Sequence, residues 1–117
     1  MSIANYRILF GIYSFSILAV SSVSGESFPD VGFYNLDKLF HFIEYSLLGY
    51  FAVKSVRNPT WRWIPVISIY GILFAGLDEL LQSFIPGRCS SQFDVLADIS
   101  GTLFGSVLTV WIIRRND

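Results

Sequence analysis

Apolar positions along this chain gather into four runs, at about residues 6–23, 36–56, 63–81 and 93–113. Each approaches the roughly 20 residues needed to cross the hydrocarbon core of a bilayer. Each is also too long for a buried strand, and an isolated strand cannot satisfy its backbone in lipid. The pattern therefore predicts an all-α, polytopic membrane protein: a four-transmembrane-helix bundle forming a single domain. The first run, with Arg7 ahead of it and small residues at Ser22 and Ser24, also has the outline of a signal peptide. Its length favours a retained span, in which Ser14, Ser16, Ser21, Ser22 and Ser24 bond back to their own helix or pack on a neighbour.

Charge sharpens this picture. The apolar share is 53 %, and the charged residues sit between the runs or at their ends, as in a membrane protein rather than a soluble one. Six of the eight basic residues (Arg7, Lys54, Arg57, Arg62, Arg114 and Arg115) fall on one side of a four-span topology. By the positive-inside rule that side is the cytoplasm, so both termini are cytoplasmic. Trp61, Trp63 and Trp111 lie at the same helix ends, as interfacial anchors do. Eight of the nine acids then face outward, Asp117 excepted. A net charge of −1 offers no footprint for nucleic acid, and the single Cys89 excludes an internal disulfide.

The outward acids mark the candidate site, because charge within a span is costly and usually serves a function. On the second helix Asp37, His41 and Glu44 share a face, with Tyr45 at its border. Lys38 is placed to snorkel outward. The third helix ends in Asp78, Glu79 and Gln82, carboxylates that oppose the helix dipole and call for a cation, Arg88 being the nearest. Pro86-Gly87 predicts a turn, after which Ser90 or Ser91 caps the fourth helix and Asp94 enters its first turn. Asp98 lies one turn deeper on the face of Asp94, and Gly101 and Gly105 extend that face, allowing close approach of a partner helix. The mixture fits either a divalent-cation site, with His41, Glu44, Asp78 and Glu79 as candidate ligands, or an acid/base pair. The acids occupy only the outer half of the spans, which argues against an ion path across the bilayer.

Two motifs carry a family resemblance. Asp37-Lys38-x-x-His41-Phe42-x-x-Tyr45-x-x-Leu48-Gly49 and Asp78-Glu79-x-x-Gln82, followed by Pro86-x-Arg88, Asp94 and Gly101-x-x-x-Gly105, resemble the VanZ-like family. These are small membrane proteins named after a teicoplanin-resistance protein. The resemblance covers about residues 37–105, with the first helix outside it. The family often carries Asn at the position of Asp98, which gives that side chain a hydrogen-bonding role rather than a required charge. The resemblance implies a multi-pass protein of the bacterial cytoplasmic membrane, in some members linked to resistance against lipid-tailed glycopeptides.

The leading expectation is an outward polar cleft that binds a membrane lipid or another lipid-linked or amphiphilic molecule. Asp37, Lys38, Tyr45, Gln82, Arg88, Asp94 and Asp98 would line it, with a divalent cation as a candidate cofactor. The first alternative is a membrane hydrolase or transferase, with Glu79 or Glu44 as base, His41 as acid/base and Arg88 stabilising negative charge. The second is a polar network that only orders the helices.

Overall fold

The computed structural model describes residues 1–21, 34–85 and 92–116, with residues 34–37 described for their backbone alone. The chain forms four helices: α1 (Ile3–Ser21), α2 (Tyr34–Lys54), α3 (Trp63–Ser83) and α4 (Gln92–Arg115). Among the described residues there is no strand. The Ser2 hydroxyl accepts from the Asn5 amide at 3.2 Å and so caps α1. Pro65 sits in the first turn of α3, where a missing N–H costs nothing. Arg114 and Arg115 close α4 where cations suit the helix dipole. At about 1.5 Å per residue the helices are about 28–36 Å long, against a hydrocarbon core of about 30 Å.

Side-chain contacts fix the directions. His41 meets Asp98 and Lys38 meets Asp94, so α2 and α4 run parallel. Ser14 meets Tyr70 and Ser21 meets Asp78, so α1 and α3 run parallel too. Arg7 reaches the Ser55 carbonyl, which sets α1 antiparallel to α2. The most extensive packing is α2 on α4, while α1 touches α2 and α3 but not α4 among the described residues. Near the basic end the interior is apolar, built from Ala52, Val53, Ile67 and Val110. Further along it turns aromatic, with Tyr45 and Phe74 beside Ile17, Leu48 and Ala75.

The distribution of polarity is inverted relative to a soluble protein. Ile12, Phe15, Phe40, Ile69, Leu73 and Phe104 are exposed, while Ser21, Asp78, Gln82, Asp98, Thr102 and Ser106 are buried. Water would favour the opposite arrangement; lipid favours this one. Three helices (α1, α3 and α4) are long and apolar enough to cross a membrane. The α2 helix is as long as α3 but carries Asp37, Lys38, Glu44 and Lys54, and it does not reach that apolarity. The fold is that of a multi-pass membrane protein.

The α2–α4 seam owes its closeness to glycine. A Cβ on Gly101 would overlap the Phe42 carbonyl, and one on Gly105 the Ser46 carbonyl; Gly49 meets the α4 backbone at Thr102 and Ser106 from the other side. Because each obstacle is backbone, neither helix can yield without separating from the other. Thr102, Ser106 and Thr109 continue the buried face of α4, each bonding to a carbonyl of its own helix.

Candidate functional site

Two buried polar clusters lie beyond the aromatic layer, toward the end of the bundle opposite Arg7 and Arg115. The first sits in the α2–α4 seam. His41 Nδ1 is 2.7 Å from Asp98 Oδ1, and His41 Nε2 is 3.8 Å from Asp94 Oδ2. When Asp98 is ionised its carboxylate accepts, and Nδ1 then donates the proton of the shorter contact. Lys38 Nζ is 2.5 Å from Asp94 Oδ1. Asp94 and Asp98 are each 2 % exposed, so these charge-assisted contacts are shielded from water.

The second cluster joins α1, α2 and α3 around Asp78. One carboxylate oxygen accepts from the Ser21 hydroxyl and the other from the Tyr45 hydroxyl at 3.0 Å. Gln82 Nε2 lies 3.4 Å from Ser21 Oγ. Among the described residues no buried side-chain nitrogen or oxygen lacks a hydrogen-bond partner.

The family model described as VanZ/LLP1 matches residues 3–114. The chain belongs to the VanZ/LLP1 family. No curated protein and no solved structure matches it. The match begins at the first residue of α1, so this helix belongs to the VanZ/LLP1 unit, although the motifs alone placed it outside. The geometry gives a physical reason: α1 supplies Ser21 to Asp78 and Tyr13, whose hydroxyl donates to the Glu44 carbonyl at 2.6 Å.

Several expectations change on this structure. Lys38 does not snorkel outward; it turns in to Asp94, since a buried carboxylate without a counter-charge costs more than the lost hydration of an amine that stays 20 % exposed. His41, Glu44, Asp78 and Glu79 form no group, among the described residues, that could hold a metal. Among the described residues no three His, Cys, Asp or Glu side chains converge as a metal would require. The face shared by His41 and Glu44 is divided between neighbours: His41 meets α4, while Glu44 lies where α1 packs. The acids of the two clusters, Asp78, Asp94 and Asp98, are almost wholly buried. Glu79 is half-buried and engaged in further contacts. Arg88, Cys89, Ser90, Ser91, Ser22 and Ser24, and the side chain of Asp37, lie outside the described residues.

Sequence reasoning passed over Ser21 as a partner of Asp78 and over Thr102, Ser106 and Thr109 as part of the α4 face. The signal for the latter was present: small residues continue the spacing of Asp94, Asp98, Gly101 and Gly105. Ser21 gave none, because 57 residues separate it from Asp78.

Proposed function

We propose that this VanZ/LLP1 protein recognises the charged head of a lipid-linked or amphiphilic molecule of the bacterial cell envelope. The α2–α4 cluster would serve as the recognition site. The observation that carries this reading is the Lys38–Asp94–His41–Asp98 chain, held within a membrane bundle by two helices in glycine-tight contact. A bundle that needed only packing has no use for so costly a group of charges. Lys38 is the most exposed member, so an anionic head group meets it first and competes with Asp94 for the ammonium. In this reading α2 crosses the membrane as a fourth span. The six cations at the opposite end mark the cytoplasm, both termini lie there, and the site faces outward in the cytoplasmic membrane. A link to teicoplanin-type glycopeptide resistance follows from the family name and is part of the proposal.

A second reading, an enzyme acting on a lipid-linked substrate, draws on the imidazole. His41 is oriented through Nδ1 by Asp98, the arrangement by which a base is held in one tautomer, with Nε2 turned toward Asp94. A third, purely structural reading draws on the hydrogen bonding of every buried side-chain nitrogen and oxygen among the described residues.

One set of measurements separates the three. The protein is reconstituted in nanodiscs and titrated with lipid-linked envelope precursors and a lipoglycopeptide, alongside a turnover assay. Binding that is lost in a folded Lys38→Gln and His41→Gln pair supports recognition. Product formation abolished by His41→Gln supports the enzyme. Neither binding nor product, with both variants merely unstable, leaves the structural reading standing.

A further inference from the structure

The end of the bundle remote from the polar clusters carries Arg7, Lys54, Arg57, Arg62, Arg114 and Arg115, opposed in the sequence by Asp117 alone. Two of these cations rest on aromatic rings: Lys54 Nζ is 5.0 Å from the Tyr6 ring centroid and Arg115 5.3 Å from that of Trp111. Two others line a cavity of about 420 Å³, walled by Arg7, Ser55, Val56, Arg57, Asn58 and Trp63. That volume falls in the range of about 300–1,000 Å³ usual for small-molecule sites. None of the lining side chains is acidic.

The arrangement is prepared for an anion. Arg7 Nε donates to the Ser55 carbonyl at 3.0 Å, which fixes the guanidinium at the rim and leaves its terminal N–H groups for a ligand. Arg57 comes from the α2–α3 turn, so two cations on separate segments border one space. Asn58 adds an amide donor, and Trp63 begins α3. Trp61 and Trp63 are exposed at this level, the depth of lipid head groups in a membrane bundle. We propose that this cavity binds the phosphate of an anionic phospholipid head group, tying the start of α1 to the α2–α3 turn. The ligand class is a phosphate ester, and its membrane source is argued from the flanking tryptophans. The site is separate from the α2–α4 cluster and stands whether or not that cluster recognises a ligand.

The full chain, stripped of lipid in neutral detergent, is titrated with phosphatidylglycerol or phosphatidylcholine, and retained lipid is read by native mass spectrometry. The wild type is expected to retain phosphatidylglycerol selectively. Arg57 lies outside the helices and is exposed, so Arg57→Gln leaves the fold intact; it should weaken retention about fivefold, the factor for one arginine near an anionic lipid surface. Arg7→Gln with Arg57→Gln should abolish selectivity, whereas Arg114→Gln with Arg115→Gln, equal in charge and at the same end, should not change it. Unchanged retention by Arg57→Gln, or equal loss in the Arg114/Arg115 variant, would overturn the site. Displacement of the lipid by millimolar inorganic phosphate would overturn the membrane source.

Discussion

Asp94 and Asp98 meet a lysine and a histidine supplied by α2, whereas Asp78, buried to the same 2 %, meets hydroxyls from α1 and α2. The first environment combines charge with a seam that glycine holds closed; the second sits where three helices meet, and among the described residues no glycine narrows that contact. Charge-assisted contacts are roughly twice as strong as neutral ones and depend more on geometry. They are also the ones a charged ligand can replace in kind. On the proposed function, Lys38–Asp94 is the exchangeable pair and Asp78 a structural tie.

The largest expected effect comes from breaking the exchangeable pair on one side only. Asp94→Leu removes the buried carboxylate that Lys38 and His41 share and should destabilise the protein by about 3 kcal/mol, read by unfolding in mixed micelles. Lys38→Met combined with Asp94→Leu should recover most of that loss, because apolar replacement of a whole buried pair is often neutral. Equal destabilisation in the single and double variants would show that the two charges are not coupled. A recovered double variant that no longer binds envelope lipids would place the purpose of the pair in recognition.

A smaller effect tests the seam. Gly105→Ala puts a methyl group into the Ser46 carbonyl and should cost about 2 kcal/mol, since the obstacle is backbone and α2 must move. Gly76→Ala, with nothing within 4 Å of the added carbon, should instead stabilise α3 by about 0.5–1 kcal/mol through helix propensity. Similar outcomes for the two would mean that α2 and α4 are not held at contact distance. On the hydroxyl side, Tyr45→Phe removes one of the two donors to Asp78 and should cost about 1–2 kcal/mol by the same measurement. No loss there would mean that the Tyr45 hydroxyl is not needed to satisfy Asp78.

These tests rest on features of unequal legibility. The four helices follow from the apolar runs, and their bounds shift by only a few residues, because length and hydropathy are local properties. The shared face of Asp94, Asp98, Gly101 and Gly105 is equally local, a matter of helical repeat. What periodicity cannot supply is the rotation of one helix against another. Placing His41 and Glu44 on one face left open that α4 takes the former and α1 approaches the latter. The inward turn of Lys38 was hidden for a related reason: whether a lysine snorkels depends on a carboxylate 56 residues away. The same holds for α1, whose Ser21 and Tyr13 become intelligible only once their partners on α3 and α2 are in place.

The smallest expected effect is the sharpest test of the distinction. In Asp78→Asn the amide keeps the shape of the carboxyl group. Its oxygen can still accept from one hydroxyl, and its NH₂ can donate to the oxygen of the other, since Ser21 and Tyr45 can each reverse roles. The change should therefore fall within about 1 kcal/mol of wild type, a difference of one neutral hydrogen bond. Asp94→Asn keeps shape as well, yet it cannot neutralise Lys38, whose ammonium has no acceptor capacity to offer in exchange. It should cost more than Asp78→Asn and should weaken head-group binding, which Asp78→Asn should leave intact. Equal losses from the two amides would mean that the Asp78 carboxylate is held for its charge, and the hydroxyl cluster would then belong to the recognition site rather than to the scaffold.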